Sequence, residues 1–451
     1  MKFSDIPSTT ELLKTEAVSG LEHRFAVQCI ASLCQRVRRE IATGVLNRRI
    51  LWEDELLVEV QQQQEKRYKR VVNATGIVIH TNLGRAPLSQ EVLDYVVETC
   101  SGYCDLELQL ATGKRGGRLS GIREKLCQLS KAEDAVVVNN NAAAILLILS
   151  AISAQKEVIV SRGELVEIGG SFRVPEVIEQ GGAILKEVGT TNRTRIADYR
   201  RAISEETGAL LKVHQSNFSI EGFSEEASRQ ELAQLARERD IPFVEDLGSG
   251  LLHRSPKVPW KEEFLGSESI QRALEEGVDL LCFSGDKLLG GNQVGIILGR
   301  ADLVKKCRNH PLYRAFRLDK MNLAALEATL QIYVEGREEQ LPIWRMINQE
   351  QAVLHQRAQR FKQAFSAVRI AESEAYTGGG ALPNRSIPSV SVVCEDQNIK
   401  KLSAFLRRYS PPILARSYQD KLWFDLRTMT EEEDEIVLEA LKDWFRSKTL
   451  D

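Results

Sequence analysis

The order of apolar and polar positions changes near residue 70, and the two parts of the chain predict different structures. In the first part, Val27, Ile30, Cys34, Val37 and Ile41 recur at a spacing of three or four residues, and a glycine follows them. That spacing places them on one face of an amphipathic helix that ends at the glycine. In the second part, short apolar runs alternate with amphipathic stretches.

Seven of these apolar runs predict the strands of one sheet. Helical stretches separate them, and one of these opens with the capping box Ser228-x-x-Glu231. Strands that are apolar on both faces and alternate with helices predict a mostly parallel sheet covered on both sides. The runs are Ala135–Val138, Glu157–Val160, Ala183–Val188, Ala209–Val213, Pro242–Glu245, Leu280–Phe283 and Val294–Leu298.

The last part of the chain predicts a smaller α+β domain. It reads as helical from about residue 321 to 368, with two strand candidates, Ser389–Val393 and Leu422–Asp425, further on. We therefore expect three domains: a helical domain over 1–70, a large α/β domain over 71–335 and a small α+β domain over 336–451.

Composition excludes several classes of protein. The chain has 451 residues, of which 43% are hydrophobic and 27% charged, and its net charge of −3 provides no overall positive field for nucleic acid. The eight cysteines form no CxxC pair and the six histidines no HxxxH pair, so we expect no metal site. The first residues do not form a signal peptide, and the longest apolar run, Ala142–Ile152, is too short to span a membrane. These features predict a soluble, cytoplasmic protein.

Chemistry is expected where the strands end, because parallel sheets bind ligands outside the carboxyl ends of their strands. The run Leu280–Phe283 leads into a glycine-rich turn that carries Lys287. A lysine on such a turn, directly after a buried strand, is partly desolvated and can act as a nucleophile. Ser284, three residues earlier, is placed to donate its hydroxyl to a phosphate.

Three other strand ends add the partners that this lysine needs. Asp246 follows one run, and its carboxylate can keep a pyridine nitrogen protonated. Asn140, Asn141 and Ala142 open a helix, and N–H groups at a helix N-terminus bind phosphate. The segment from His214 to Asn217 can donate to a ring hydroxyl, and we assign this contact to Asn217. In this chain order, the set predicts a pyridoxal 5′-phosphate site of the aspartate-aminotransferase type (fold type I).

Several longer segments strongly resemble the bacterial selenocysteine synthase family, the L-seryl-tRNA(Sec) selenium transferases. The resemblance covers nearly the whole chain, including the helical front part. It implies that Lys287 is the Schiff-base lysine, that Asp246 pairs with the ring nitrogen, and that the protein is a homodecamer built as a ring of dimers. It is carried by Asn73–Gly76, His80–Leu88, Asn139–Ala144, Glu245–Gly250, Ser284–Gly295, Pro411–Arg416 and Asp425–Thr428.

The family's reaction assigns further roles. Seryl-tRNA(Sec) would lose its β-hydroxyl to give a dehydroalanyl-tRNA, and selenium from selenophosphate would then add. Because selenophosphate is an anion, the site needs cations and hydroxyl donors, and the candidates are Arg85, Arg314, Arg317, Thr190 and Thr191. The resemblance also implies that the front domain holds tRNA. Its arginines are candidates for phosphate contacts, namely Arg24, Arg36, Arg39, Arg48 and Arg49.

Two other functions remain open at this point. A lyase of the same fold could act on a small phosphorylated amino acid or amino sugar, as D-glucosaminate-6-phosphate ammonia-lyase does. Such a lyase has no use for the arginine-bearing front domain, which favours an RNA substrate. A non-catalytic RNA-binding scaffold is the second alternative, and the presence of both Lys287 and Asp246 argues against it. Arg416 and Arg427, where related transaminases bind a substrate carboxylate, are interpreted as structural because an aminoacyl ester has no free carboxylate.

Overall fold

The computed structural model divides the chain into two compact units, Met1–Arg70 and Val71–Asp451. It describes residues 2–46, 48–65, 67–168, 172–215, 218, 220, 222–252, 261, 269–380 and 385–448. Within these ranges, no helix is both long enough and apolar enough to cross a membrane.

The first unit is helical and has its own core. Cys29, Ile30, Leu33 and Val37 are buried on one face of its longest helix, in agreement with the spacing of apolar residues in the sequence. Glu22 caps the start of that helix by accepting hydrogen bonds from the N–H groups at its first turn. The helices are α1 (Thr9–Leu12), α2 (His23–Ala42) and α3 (Trp52–Gln64).

The second unit contains a seven-stranded sheet among its described residues, and each of its strands overlaps one of the predicted apolar runs. The strand order is β5-β13-β12-β11-β10-β6-β9, and all neighbours are parallel except the pairs that β13 makes. The expected mixed, mostly parallel sheet is thus confirmed. Its strands are β5 (Asp134–Val138), β6 (Glu157–Ser161), β9 (Ile184–Val188), β10 (Thr207–Val213), β11 (Phe243–Gly248), β12 (Leu280–Ser284) and β13 (Gly295–Gly299).

Helices cover this sheet on both faces, because alternate side chains of its strands point to opposite sides. Val137, Phe283 and Ile296 belong to one buried cluster, whereas Val136 and Cys282 belong to another. The surrounding helices are α4 (Gln90–Cys100), α5 (Ser120–Ser130), α6 (Asn141–Ile152), α7 (Val174–Gln180), α8 (Ile196–Ala202), α9 (Arg229–Arg239), α10 (Ile270–Glu275), α11 (Ala301–Asn309), α12 (Pro311–Phe316), α13 (Lys320–Val334) and α14 (Pro342–Asn348). Two small hairpins are formed by β3 (Leu108–Gln109) with β4 (Lys114–Arg115) and by β7 (Glu167–Ile168) with β8 (Phe172–Arg173).

A second sheet combines strands from both ends of this unit, in the order β1-β16-β17-β15-β14-β2. Its first two strands lie within the segment that the sequence assigns to the large domain, yet they pair with strands from the C-terminal part. The division near residue 335 stays a prediction. The elements are β1 (Val72–Ala74), β2 (Ile77–Ile79), α15 (Gln351–Ala364), β14 (Val368–Gly378), β15 (Ser386–Cys394), α16 (Ile399–Leu406), β16 (Ile413–Tyr418), β17 (Lys421–Asp425) and α17 (Glu431–Lys448).

Candidate active site

Strand register brings the predicted groups to one edge of the seven-stranded sheet. Asp246 on β11 lies between Val213 on β10 and Cys282 on β12. Gly295 on β13 pairs with Ser284 at the end of β12 and with Val138 at the end of β5. The turns that carry the lysine and the asparagines therefore leave the sheet at the same edge as the carboxylate.

Asp246 is a buried carboxylate held by several donors. Its Oδ1 accepts hydrogen bonds from the Asn141 side-chain amide at 2.8 Å and from the Gly248 N–H at 3.0 Å. Burial raises the pKa of Asp246. The hydrogen bond from the Asn141 side chain, the positive charge of Lys287 and a hydrogen bond from the Cys282 thiol oppose this shift. An uncompensated carboxylate in such a place would be costly, so a cationic ring nitrogen is the kind of partner that suits it.

Lys287 is also buried, and only 7% of its surface is exposed. Its amine lies close to the loop that follows Asp246, because a Cβ atom added to Gly248 would lie 3.7 Å from Lys287 Nζ. Gly248 has a φ of +67°, a conformation that glycine adopts without strain. The amine and the carboxylate are thus both buried and lie close together, and their roles toward a cofactor stay predictions.

The asparagine turn forms the start of α6. Asn140 caps the helix, since its side-chain oxygen accepts a hydrogen bond from the Ala143 N–H at 2.8 Å. N–H groups in the first turn of a helix lack partners within the helix, and here they include those of Asn141 and Ala142. Strand β13 approaches this turn closely at Gly295, where a Cβ atom would lie 2.1 Å from the Asn140 carbonyl oxygen.

One carboxylate at this edge was missed by the sequence analysis. Asp286 accepts a hydrogen bond from the Ser284 hydroxyl at 2.6 Å and pairs with the Arg85 guanidinium at 2.7 Å. Its carbonyl oxygen also accepts the N–H of Ala86. The available signal was its position directly before Lys287, in a turn otherwise made of small and apolar residues.

These contacts bear on two predicted roles. The Ser284 hydroxyl donates to Asp286, so donation to a phosphate would require its hydrogen to turn away from that carboxylate. Arg85 is partly neutralised by the same carboxylate, although its side chain remains 30% exposed. Both roles stay predictions.

The other anion-binding candidates lie on loops and helix ends. Arg314 and Arg317 are exposed on and after α12, which is tied to the asparagine turn by a hydrogen bond from the Asn139 N–H to the Phe316 carbonyl at 2.9 Å. These two arginines are therefore close in sequence to a residue that touches the predicted phosphate site.

The two threonines follow strand β9. The Thr190 hydroxyl bonds to the Arg193 backbone. Thr191 lines a cavity of about 210 Å³ together with Gln215, which follows β10. Asn217, the expected partner of the ring hydroxyl, lies outside the described residues. The roles of these residues stay predictions.

The arginines of the first unit fall into two groups. Arg36 pairs with Glu55 at 2.8 Å, and Arg48 pairs with the same carboxylate. By contrast, the remaining candidates are exposed and form no ion pair within the described residues; they are Arg24, Arg39 and Arg49. The second group is better placed for phosphate contacts.

Arg427 and Arg416 both have contacts within the protein. Arg427 is almost fully buried and donates to the carbonyl oxygens of Met346 and Gln349. Arg416 lies over the ring of Trp423. These contacts agree with the structural interpretation of both arginines.

The residues at the sheet edge fit pyridoxal 5′-phosphate. They comprise the buried amine of Lys287, the buried carboxylate of Asp246 on the neighbouring strand and the N-terminus of α6. Strand β13 can lie close to this N-terminus because it has a glycine there, Gly295. These are the groups needed to hold, respectively, an aldehyde carbon, a pyridine nitrogen and a phosphate. No cluster of three or more possible metal ligands occurs in the described part of the chain.

Comparison with known proteins gives a consistent result. A family model described as L-seryl-tRNA selenium transferase matches residues 71–430. The L-seryl-tRNA(Sec) selenium transferase of Carboxydothermus hydrogenoformans is 43% identical, and the match covers 95% of this chain and 94% of that protein. The enzymes of the same name from Aquifex aeolicus and Geobacter sulfurreducens are 40% and 41% identical, over 93% and 98% of this chain and 94% and 99% of theirs.

Among solved structures, D-glucosaminate-6-phosphate ammonia-lyase is similar with a TM-score of 0.61 and 23% sequence identity. The match covers 85% of this chain and 96% of that one. At this level of identity the likeness concerns the fold alone. It supports the expected fold-type I architecture of pyridoxal-phosphate enzymes.

Proposed function

This chain belongs to the L-seryl-tRNA selenium transferase family, and we propose that it converts seryl-tRNA(Sec) to selenocysteinyl-tRNA(Sec) with selenophosphate and pyridoxal 5′-phosphate. The observation that carries the proposal is the match to the selenium transferases over both units of the chain. In the net reaction the seryl C–O bond is replaced by a C–Se bond. The phosphorus of selenophosphate loses selenium, gains oxygen and leaves as phosphate.

The buried pair at the sheet edge supports the chemistry. Bound pyridoxal phosphate withdraws electrons from the amino acid, which makes the Cα proton acidic and allows the β-hydroxyl to leave. The Lys287 amine would hold the cofactor, and as a buried base beside it the same amine would be placed to take the Cα proton of the seryl group. Asp246 would keep the ring nitrogen protonated, and the N–H groups in the first turn of α6 would bind the phosphate.

The cations near this edge are proposed to bind the selenium donor. Arg85, Arg314 and Arg317 provide positive charge, and the hydroxyls of Thr190 and Thr191 provide neutral donors. Because Asp286 already pairs with Arg85, an arriving anion competes with that carboxylate for the guanidinium. This arrangement would keep Arg85 oriented while the donor is absent.

The first unit is proposed to bind tRNA. Its exposed arginines are suited to phosphate contacts, which need no particular base sequence. A small amino acid or amino sugar would not need such a surface. The exposed arginines therefore favour seryl-tRNA(Sec) over the substrates of a small-molecule lyase.

We also propose that the protein is a homo-oligomer, with the ring of five dimers as its expected form. Large apolar side chains are exposed on α4 and on the segment after it, including Val97 at 66% and Leu110 at 74%. Exposed apolar groups of this size, close together in sequence, are typical of protein interfaces. Light scattering should give ten times the chain mass of 50.7 kDa. A monomeric mass would contradict the proposed assembly but not the proposed reaction.

The reaction is tested with purified protein, labelled selenophosphate and two substrates, seryl-tRNA(Sec) and an ordinary seryl-tRNA. We expect labelled selenocysteine on tRNA(Sec) only, and none with the Lys287→Ala variant. Label on both tRNAs would contradict the assigned specificity. Release of ammonia from a small phosphorylated amino sugar, with no labelled tRNA, would favour the lyase instead.

A further inference from the structure

The two asparagines that open α6 have different contacts. Asn140 uses its side-chain oxygen to cap the helix at the Ala143 N–H. Asn141 directs its side-chain amide away from the helix and donates to Asp246 Oδ1 at 2.8 Å. Both residues are expected from the sequence to bind the cofactor phosphate, but the contact of the Asn141 side chain with Asp246 needs a separate explanation.

The hydrogen bonds around Asp246 favour one orientation of its carboxylate. Asn141, in the turn that follows β5, and the N–H of Gly248, two residues after Asp246, both donate to Oδ1. Two donors on one oxygen restrict the rotation of a carboxylate. They also favour the ionised form in a buried place, where burial alone favours the neutral acid.

The side-chain oxygen of Asn141 indicates that this contact lowers the stability of the protein. This Oδ1 atom is buried and accepts no hydrogen bond from the described residues. An unsatisfied buried acceptor destabilises a protein, so an asparagine here is not explained by stability alone. The hydrogen bond that Asn141 donates to Asp246 explains why an asparagine occupies this position.

We propose that Asn141 is a positioning residue for Asp246, orienting its carboxylate toward the ring nitrogen of pyridoxal phosphate and keeping it ionised. This inference rests on the proposed function, because it assumes that the cofactor binds at this edge. It assigns the Asn141 side chain to the carboxylate and leaves the phosphate to the backbone N–H groups of the turn.

The first test compares pyridoxal phosphate with pyridoxal, which lacks the phosphate, as ligands of the intact protein. Asn141→Ala should weaken binding of both by the same factor, about tenfold or more, since a hydrogen bond to a charged group is lost. A loss that affects pyridoxal phosphate but spares pyridoxal would overturn the proposal and assign the side chain to the phosphate. Unchanged affinity for both would overturn it as well.

A matched control is Asn292→Ala. Asn292 is also half-buried with an unpaired Oδ1, but its amide donates to Asn322 at 2.8 Å instead of to Asp246. This variant should bind both ligands as the unchanged protein does. An equal loss in both variants would mean that any buried asparagine near the site has this effect, and would contradict the specific role.

A double-mutant cycle separates positioning from a general structural effect. If Asn141 acts through the carboxylate, Asn141→Ala should have little effect on cofactor affinity once Asp246→Ala is present. If Asn141→Ala weakens cofactor binding as much in the Asp246→Ala variant as in the unchanged protein, the proposal is wrong. If the unchanged protein binds no pyridoxal phosphate at all, the proposed function fails instead, so the two failures are distinguishable.

Discussion

At the scale of single residues, the site is defined by buried charges and by the groups that compensate them. Asp246 and Lys287 are buried close together, and Asp286 links Ser284 to Arg85. Each of these charges would be expensive to bury alone. Removal of one member is therefore expected to change the chemistry of its partners as well as its own contacts.

Lys287→Ala should abolish the visible absorbance of bound pyridoxal phosphate, because no other amine is expected to hold the cofactor covalently. Lys212→Ala is the matched control: this lysine is half-buried at the sheet, on β10. Burial alone would lower the pKa of Lys212, but Glu164 and Glu226 hold it above its usual range, so its amine stays protonated and unreactive. Borohydride reduction of the unchanged protein and peptide mapping should place the label on position 287; a label elsewhere would contradict the assignment.

At the scale of elements, the first unit is joined by charged contacts between its two long helices. Arg36 on α2 pairs with Glu55 on α3 at 2.8 Å, and Arg48 in the connecting segment pairs with the same carboxylate. Burial raises the pKa of Glu55, but the hydrogen bonds and charges of the two arginines outweigh it, and the pKa is lowered from 4.5. The contacts of Glu55 therefore join α3 to α2 and to the segment between them.

Glu55→Gln should loosen the contact between α2 and α3 at neutral pH. Since the folded-state pKa is lowered, the stabilisation is present above about pH 4.5 and is lost as the pH falls through the folded value. We expect a loss of about 1 kcal/mol, seen as faster hydrogen exchange in both helices. Glu65→Gln, which removes an exposed pair with Lys69, should have almost no effect. A difference between Glu55→Gln and the unchanged protein that persists at pH 3 would contradict this account.

The exposed arginines of the same unit are expected to account for part of the tRNA affinity. Arg39→Ala with Arg49→Ala should weaken binding of seryl-tRNA(Sec) and lower the slope of log affinity against log salt by about 1.5, because each phosphate contact contributes about 0.7 to 0.9. Filter binding across a salt series measures this. The exposed pair Arg407 and Arg408 in the second unit is the control, and their replacement by alanine should leave the slope unchanged. Equal slopes in all three proteins would contradict the assigned tRNA surface.

At the scale of the whole molecule, each unit has a core made of its own residues. The buried cluster of the first unit lies between Leu12 and Val60, and the clusters of the second unit begin at Val72. Within the second unit, β1 and β2 join the start of the unit to its C-terminal sheet. A chain cut at residue 70 therefore preserves both sheets, whereas a cut after β2 would remove two strands.

Deletion of residues 1–70 should leave pyridoxal phosphate bound and reduce affinity for seryl-tRNA(Sec) by more than tenfold. The proposed phosphate contacts to tRNA are removed, whereas the residues proposed to hold the cofactor all belong to the second unit. Visible absorbance reports the first property and filter binding the second. Circular dichroism shows whether the shortened chain is folded. A folded, cofactor-bearing protein that still transfers selenium to tRNA(Sec) at the normal rate would contradict the role of the first unit.

The sequence by itself determined the strands of the large sheet, the amphipathic helix α2, and the strand ends that carry Lys287, Asp246 and the asparagine turn. These features are local, since hydrophobic periodicity and the residue after a strand are both read from neighbouring positions. The resemblance to a family then supplied the reaction, which no periodicity contains.

Only the tertiary structure decided which of these groups contact one another. Asp286 meets Arg85 across 201 positions and Asn141 meets Asp246 across 105, and nothing in the local pattern indicates either pair. The pairing of β1 with β16 is hidden for the same reason. Such contacts follow from strand register and from the need to compensate buried charges, which become defined only when distant segments pack together.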